Sequence, residues 1–129
     1  MPYKLSERSK KNLDTCCDEI KRLVYAALEE YDVVVIEGHR DKEAQDLYYK
    51  EGKSKLKWPD SRHNKVPSLA VDLGVYSYYC NGIDWKNEKL FHELAGYMKA
   101  VARQYRIAGL RWGGDYKTFK DLPHFEIIT

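Results

Sequence analysis

Apolar side chains recur at gaps of three and four from Leu13 through Cys16/Cys17, Ile20, Leu23/Val24 and Ala27/Leu28 to Tyr31. That spacing puts one apolar stripe on a helix, so the pattern predicts a long amphipathic helix over residues 6–30, with Ser6 placed to cap it. The next stretch, YDVVVIEG at 31–38, is short, β-branched and ended by Gly38, as a buried strand would be. Asp41 is placed to cap a shorter helix that runs to Lys50 and stops at Gly52. From there to Ser68 no periodicity survives. Pro59, Pro67 and scattered Asp, Asn and Ser predict a long loop, of a length that tends to be functional. A strand over about 69–76 and an Asn81-Gly82 turn follow. Leu90/Phe91, Leu94, Tyr97/Met98, Val101 and Tyr105 predict a second long helix over 86–107, closed near Gly109. The final LRWGGDYKTFKDLPHFEIIT holds a short strand, a glycine-rich turn and a last strand from His124. This order predicts an α+β fold, a small central antiparallel sheet packed with two long helices.

Side chains on a strand alternate faces, which turns two of these segments into candidate chemistry. Leu69, Val71, Leu73 and Val75 share one face, and Ala70, Asp72, Gly74 and Tyr76 the other. Small neighbours leave room around Asp72, as on the floor of a cleft. On the last strand Phe125 and Ile127 share a face, and His124 and Glu126 share its opposite. Asp121 precedes His124 by three residues, and Pro123 keeps the chain between them extended. His63 enters from the loop. Two histidines and a carboxylate with an open position form the donor set of a catalytic zinc, whose chemistry is to acidify water. Asp121 is then the carboxylate free to manage protons. Spacing alone leaves the plain alternative open, in which the histidines are ordinary polar residues and Asp72 a satisfied hydrogen-bonding group.

Composition narrows the classes. With 129 residues, 43% hydrophobic and 33% charged, the chain is expected to be one domain over 1–129 with a real core. It contains no run of 18 apolar residues and no apolar signal-peptide core near its start, so neither a membrane partner nor secretion by that route is expected. A net charge of +2 is too mild to argue for nucleic acid, and a monomer is expected. Lys50, Lys53, Lys55, Lys57, Arg62 and Lys65 crowd one stretch, either a solvated loop or a rim that attracts an anionic substrate. Three cysteines, two of them adjacent, make no disulfide framework and read as packing residues in a reducing compartment.

Three ordered motifs carry a family likeness: GHR at 38–40, SRH…AVD at 61–72 and WGGD…DLPHFE at 112–126. Together they resemble the zinc peptidases of the D-alanyl-D-alanine carboxypeptidase and dipeptidase superfamily, with the hedgehog/DD-peptidase fold. Within it they resemble the bacteriophage L-alanyl-D-glutamate endopeptidases, which are endolysins. The resemblance implies Zn²⁺ held by His63, Asp72 and His124, with Asp121 as catalytic acid/base. It also implies that Arg40 contacts substrate and stabilises the oxyanion, and that Ser61 lies beside the substrate. The implied substrate is the peptidoglycan stem peptide. The implied setting is the host cytoplasm until the membrane is permeabilised, then the cell wall, ending in host lysis. Asp115 and Glu126 are candidates to orient the ligand imidazoles, whereas His39 and His92 have no assigned role. The NKVPS stretch at 64–68 lengthens the gap between the first two ligands relative to many relatives, and is expected to bear on substrate choice. Two competing readings are a D-alanyl-D-alanine carboxypeptidase or dipeptidase and a non-catalytic zinc-binding wall module. A metal-dependent nuclease would need a second histidine motif and stronger basicity than the chain has.

Overall fold

Ser6 begins the first helix as expected, its hydroxyl accepting a hydrogen bond from the Ser9 N–H at 3.1 Å. In the computed structural model, which describes residues 2–129, the helical stretch foreseen over 6–30 is nevertheless two helices, α1 (Glu7–Asp14) and α2 (Asp18–Ala27). The apolar stripe runs through the break, because Leu13, Cys16, Cys17 and Ile20 are all buried. The hydrogen-bond ladder does not. Ser68 donates its N–H to the Thr15 carbonyl at 2.8 Å and accepts the Cys17 N–H at 2.9 Å. A tertiary contact has outcompeted helix continuation, which no local pattern could announce.

The break frees α1 to lie along β1 (Val33–Glu37), the edge strand of the sheet. Ser9 Oγ accepts from the Val35 N–H at 3.0 Å, and Asn12 Nδ2 donates to the carbonyls of Val35 and Ile36 at 2.9 and 3.1 Å. Polar side chains of a helix thus satisfy an edge that would otherwise invite pairing with another chain. Asp41 caps α3 (Lys42–Lys50) by accepting from the Ala44 N–H at 2.8 Å. The remaining elements are β2 (Ala70–Ser77), β3 (Gly82–Ile83), α4 (Glu88–Gln104), β4 (Leu110–Trp112) and β5 (His124–Ile127). Short 3-10 turns at Arg62–Asn64 and Gly113–Asp115 order two stretches that carry no periodic signal.

The sheet order is β1-β2-β5-β4, with β3 pairing β2, and every pair is antiparallel. This is the α+β fold that the pattern predicts. On one face Val71, Leu73, Phe125 and Ile127 meet Ile20, Leu23 and Val24 of α2 and Leu94 and Met98 of α4. Each fully buried Leu or Phe in that layer contributes about 1.5–3 kcal/mol. The opposite face carries Asp72, His124 and Glu126.

A bulge adjusts this face. Val35 lies opposite Leu73, but Glu37 rather than Ile36 lies opposite Asp72. The extra residue in β1 brings a carboxylate beside Asp72, where an unbroken register would have put isoleucine. Asn12 holds the bulge through the two carbonyls it serves. Asn12→Ala is therefore expected to lower stability by about 2 kcal/mol, since buried carbonyls lose their donor. Urea unfolding with an unchanged slope would measure the loss. An unmoved midpoint would show that the edge does not need α1.

Candidate active site

His63 stands on the 3-10 turn Arg62–Asn64, and that turn is closed reciprocally. Ser61 Oγ accepts from the His63 N–H at 3.2 Å, and Asn64 Oδ1 accepts from the Ser61 N–H at 3.1 Å. The imidazole Nδ1–H donates to the Gly38 carbonyl at 2.7 Å, which fixes the tautomer and leaves a lone pair on Nε2. Gly38 has to be glycine here. A Cβ would lie 2.3 Å from Thr15 Oγ1 and 2.4 Å from the Asn12 carbonyl.

Asp72 and His124 face each other directly across β2 and β5. His124 Nδ1 lies 3.2 Å from Asp72 Oδ1, and His63 Nε2 lies 3.3 Å from the same oxygen. One donor atom from each of the three residues falls within 4.8 Å of the other two. Yet His63 Nε2 is buried without a hydrogen-bond partner. A buried imidazole nitrogen in that state is costly unless something binds it. Two nitrogens and a carboxylate oxygen converging on one point fit a tetrahedral metal site with a position to spare. The three side chains that the sequence singles out as ligands do come together.

Glu126 secures His124 from behind. Its Oε1 accepts from His124 Nε2 at 2.7 Å and from the Tyr116 hydroxyl at 3.0 Å. Its Oε2 meets Arg111 Nη2 at 2.6 Å and Arg62 Nε at 3.2 Å. This is the orienting role foreseen for Glu126. Asp115 has no such role: it is exposed, pairs with Lys99 at 2.6 Å and does not line the cleft that the imidazoles line.

Arg40 is buried beside the ligands. Its guanidinium donates to Glu37 at 3.0 Å and to Gln45 at 2.8 Å, and Nη2 stands 4.0 Å from Asp72 Oδ2. Ser61 is buried too, its hydroxyl occupied by the cap. Asp121 lies at the rim. Its N–H donates to the Gly113 carbonyl at 3.0 Å, and its own carbonyl accepts from the His124 N–H at 3.1 Å. Gly113 makes this approach possible, since a Cβ there would fall 2.2 Å from the Asp121 carbonyl oxygen.

Arg40, Ser61, His63, Asp72, Asp121 and His124 all line one open cleft of about 710 Å³. Of the basic run, Lys53, Lys55 and Arg62 reach the cleft, whereas Lys50, Lys57 and Lys65 do not. Residues 64–68 stay out of it as well. Asn64 Nδ2 donates to the Arg40 carbonyl at 3.0 Å, and Ser68 holds the α1–α2 break, so the NKVPS excursion serves the scaffold. Glu37, Gln45, Tyr116 and Arg111 complete the site without having been foreseen. Gln45 is fully buried although it sits on an amphipathic helix, and only tertiary structure could reveal that.

The charges of the site are strongly coupled. Burial works to raise the Asp72 carboxyl, but the imidazoles of His124 and His63 win and hold it well below the ordinary range. Burial likewise opposes the charge on His124, yet Asp72 and Glu126 push its pKa up to about 9. Glu126 falls to about 2, burial being overcome by His124 and Arg111. Asp121 moves upward instead, by burial first and then by the Asp72 charge.

For the metal-free protein these shifts fix the sign of the pH dependence. His124 is raised from 6.5, so its contribution is whole below that value and is lost as pH climbs through about 9. Asp72 and Glu126 are depressed from 3.8 and 4.5, so theirs is present above those values and is lost as pH falls. The metal-free chain is expected to melt highest between about pH 5 and 6.5. Metal needs the His124 Nδ1 lone pair, so added Zn²⁺ should raise the melting temperature more at pH 8 than at pH 5.5. Calorimetry with and without Zn²⁺ tests both statements.

A family model described as phage L-alanyl-D-glutamate peptidase matches residues 1–128. The chain is 33% identical over 112 residues to the peptidoglycan L-alanyl-D-glutamate endopeptidase CwlK of Bacillus subtilis (strain 168). That match covers 80% of this chain and 65% of the relative, so the chain spans just under two thirds of that protein's length. Among solved structures, it resembles the crystal structure of the Serratia marcescens L-Ala D-Glu endopeptidase ChiX with a TM-score of 0.80 and 27% identity. The superposition covers 97% of this chain and 90% of that one. The fold, the convergent His-Asp-His set and a match from residue 1 to 128 place the chain in the phage L-alanyl-D-glutamate peptidase family.

Proposed function

We propose that the chain hydrolyses the L-alanyl-D-glutamate bond of peptidoglycan stem peptides, using one Zn²⁺ held by His63 Nε2, Asp72 and His124 Nδ1. The observation that carries this reading is the buried His63 Nε2, unpaired yet aimed at the carboxylate oxygen that His124 Nδ1 also faces. Bound there, the ion supplies Lewis acidity to the scissile carbonyl and acidifies water.

The protein's own groups do the rest. Asp121 takes the proton of the attacking water and returns a proton to the leaving amine nitrogen as the C–N bond breaks. Burial first, and then the Asp72 charge, push its carboxyl upward, the direction that favours holding a proton. Arg40 stands with Nη2 4.0 Å from the outer oxygen of Asp72 and adds positive charge near the carbonyl oxygen as it becomes an oxyanion. Ser61 sets the turn that presents His63 and gives one wall of the substrate cleft. Glu126 keeps His124 facing Asp72 and carries no proton in the cycle. In biological terms the reading is an endolysin, held in the host cytoplasm until the membrane is permeabilised and then lysing the wall. The phage character of the matched family supports it.

Mass spectrometry of peptidoglycan digested by the zinc-loaded protein tests the bond assignment. New N-terminal D-glutamate is the expected product. Free D-alanine with intact crosslinks would instead make the protein a carboxypeptidase. Asp121→Ala should keep one zinc per chain while cleavage falls about 10²–10⁴-fold, the range for loss of a general acid/base. Equal cleavage by wild type and variant would remove Asp121 from the mechanism.

A further inference from the structure

Among the described residues, three that are not glycine hold a left-handed backbone: Asn81 at φ 51°, Arg106 at φ 58° and Phe119 at φ 52°. Two have structural reasons. Asn81 opens the Asn-Gly turn between β2 and β3. Arg106 ends α4, where the Ile107 N–H returns to the Ala102 carbonyl at 2.8 Å, a helix-end motif that requires positive φ.

Phe119 has no such reason. No backbone hydrogen bond among the described residues uses its N–H or its carbonyl. It belongs to the loop between the Gly113–Asp115 turn and β5, which Lys120 staples through hydrogen bonds to the carbonyls of Gly114 and Tyr116 at 3.2 and 2.8 Å. The strain gains no burial in return, because Phe119 is 71% exposed. A bulky side chain in a disfavoured backbone region, standing in water, is destabilising on both counts.

Its place gives the reason. Phe119 lines the same cleft as Asp72 and His124, and its ring meets the Lys55 ammonium at 4.5 Å from the centroid. Lys55 comes from the loop after α3 and lines the cleft too. Two loops distant in sequence thus bring an aromatic face and a cation together in the cleft that the candidate metal ligands line.

We propose that Phe119 and Lys55 form a substrate-contacting pair. The ring packs on the stem peptide next to the scissile amide, and the ammonium pairs with a free carboxylate of that segment. This rests on the function proposed above. A glutamyl residue carries two carboxyl groups and the continuing peptide uses one, so the other remains near the scissile nitrogen. An apolar contact beside a cation matches a segment of that kind, in which an alanine methyl and a carboxylate flank one bond.

Steady-state cleavage of a soluble stem peptide, with melting temperatures recorded in parallel, tests the pair. Phe119→Gly removes the ring and the strain together. Its melting temperature should equal or exceed that of wild type, while KM rises about 10-fold and kcat stays within about threefold. Phe119→Leu should recover part of the KM. Lys55→Gln should raise KM for the peptide with a free glutamyl carboxylate but not for its carboxamide analogue. A KM for Phe119→Gly within about twofold of wild type, or a lowered melting temperature with kcat and KM both damaged, would overturn the proposal. Equal effects of Lys55→Gln on both peptides would remove the carboxylate contact. Cleavage by wild type with unchanged variants sinks the pair alone, whereas no cleavage by wild type sinks the proposed function and the pair with it.

Discussion

The pairing of Asp72 with His124 across β2 and β5 is the constraint from which the rest of the site follows. Because strand side chains alternate, slipping either strand by one residue would send its ligand into the core and a core residue into the cleft. What resists the slip is the other face. Val71 and Leu73 on β2 and Phe125 and Ile127 on β5 are buried against α2 and α4, so a change of register would expose all four. The catalytic geometry is therefore secured by hydrophobic packing that takes no part in the chemistry. The bulge in β1 extends the row by one carboxylate, so that Glu37, Asp72 and His124 lie side by side on three neighbouring strands.

Carboxylates gathered this closely could not stay charged and largely buried without cations around them. The two oxygens of Asp72 divide the work. Oδ1 faces both imidazoles, while Oδ2 lies toward Arg40, which Glu37 and Gln45 hold in place. Glu126 is matched by Arg62 and Arg111 in the same manner. Each ligand thus has its orientation set by a partner on the side away from the convergence point, and the convergence point itself is left to three donors. This arrangement explains why Arg40 is buried although it lines the cleft. Its guanidinium is spent on Glu37 and Gln45, with Asp72 Oδ2 4.0 Å from Nη2.

Alternation along 69–76 and 124–127 made both strand ligands legible, and the core residues on their reverse faces with them. His63 was legible as a third donor entering from an aperiodic loop, and the family motifs then singled it out. What escaped the sequence was every feature made by distant segments. The α1–α2 break is invisible because the apolar stripe crosses it, and Ser68 creates it from far along the chain. Gln45 looks like surface polarity until it is found buried, donating to Ser54 and the Leu56 carbonyl. Asp115 and Glu126 looked equivalent as partners for the imidazoles. Only Glu126 shares a strand face with His124, and alternation already contained that distinction.

The two loops beside the site differ in how they spend their polar groups. NKVPS attracted attention because it lengthens the spacing between ligands, but its polar groups are consumed by the scaffold: Asn64 by Arg40 and Gln45, Ser68 by Thr15, Cys17 and Ala70. A segment whose hydrogen bonds are spent on its own fold has little left for a ligand. The KTFKD stretch at 117–121 is the opposite case. Its backbone leaves Phe119 unpaired and strained, and its Asp121 carboxyl is pushed upward in pKa. Such local inconsistencies persist where function compensates for them. Together with the unpaired His63 nitrogen, they mark one cleft by three features: a strained backbone at Phe119, a carboxyl pushed upward at Asp121 and a missing hydrogen bond at His63. None of the three alone would identify a site. Their coincidence in one cleft, on a fold otherwise locally consistent, is what a bound metal and a bound peptide would together relieve.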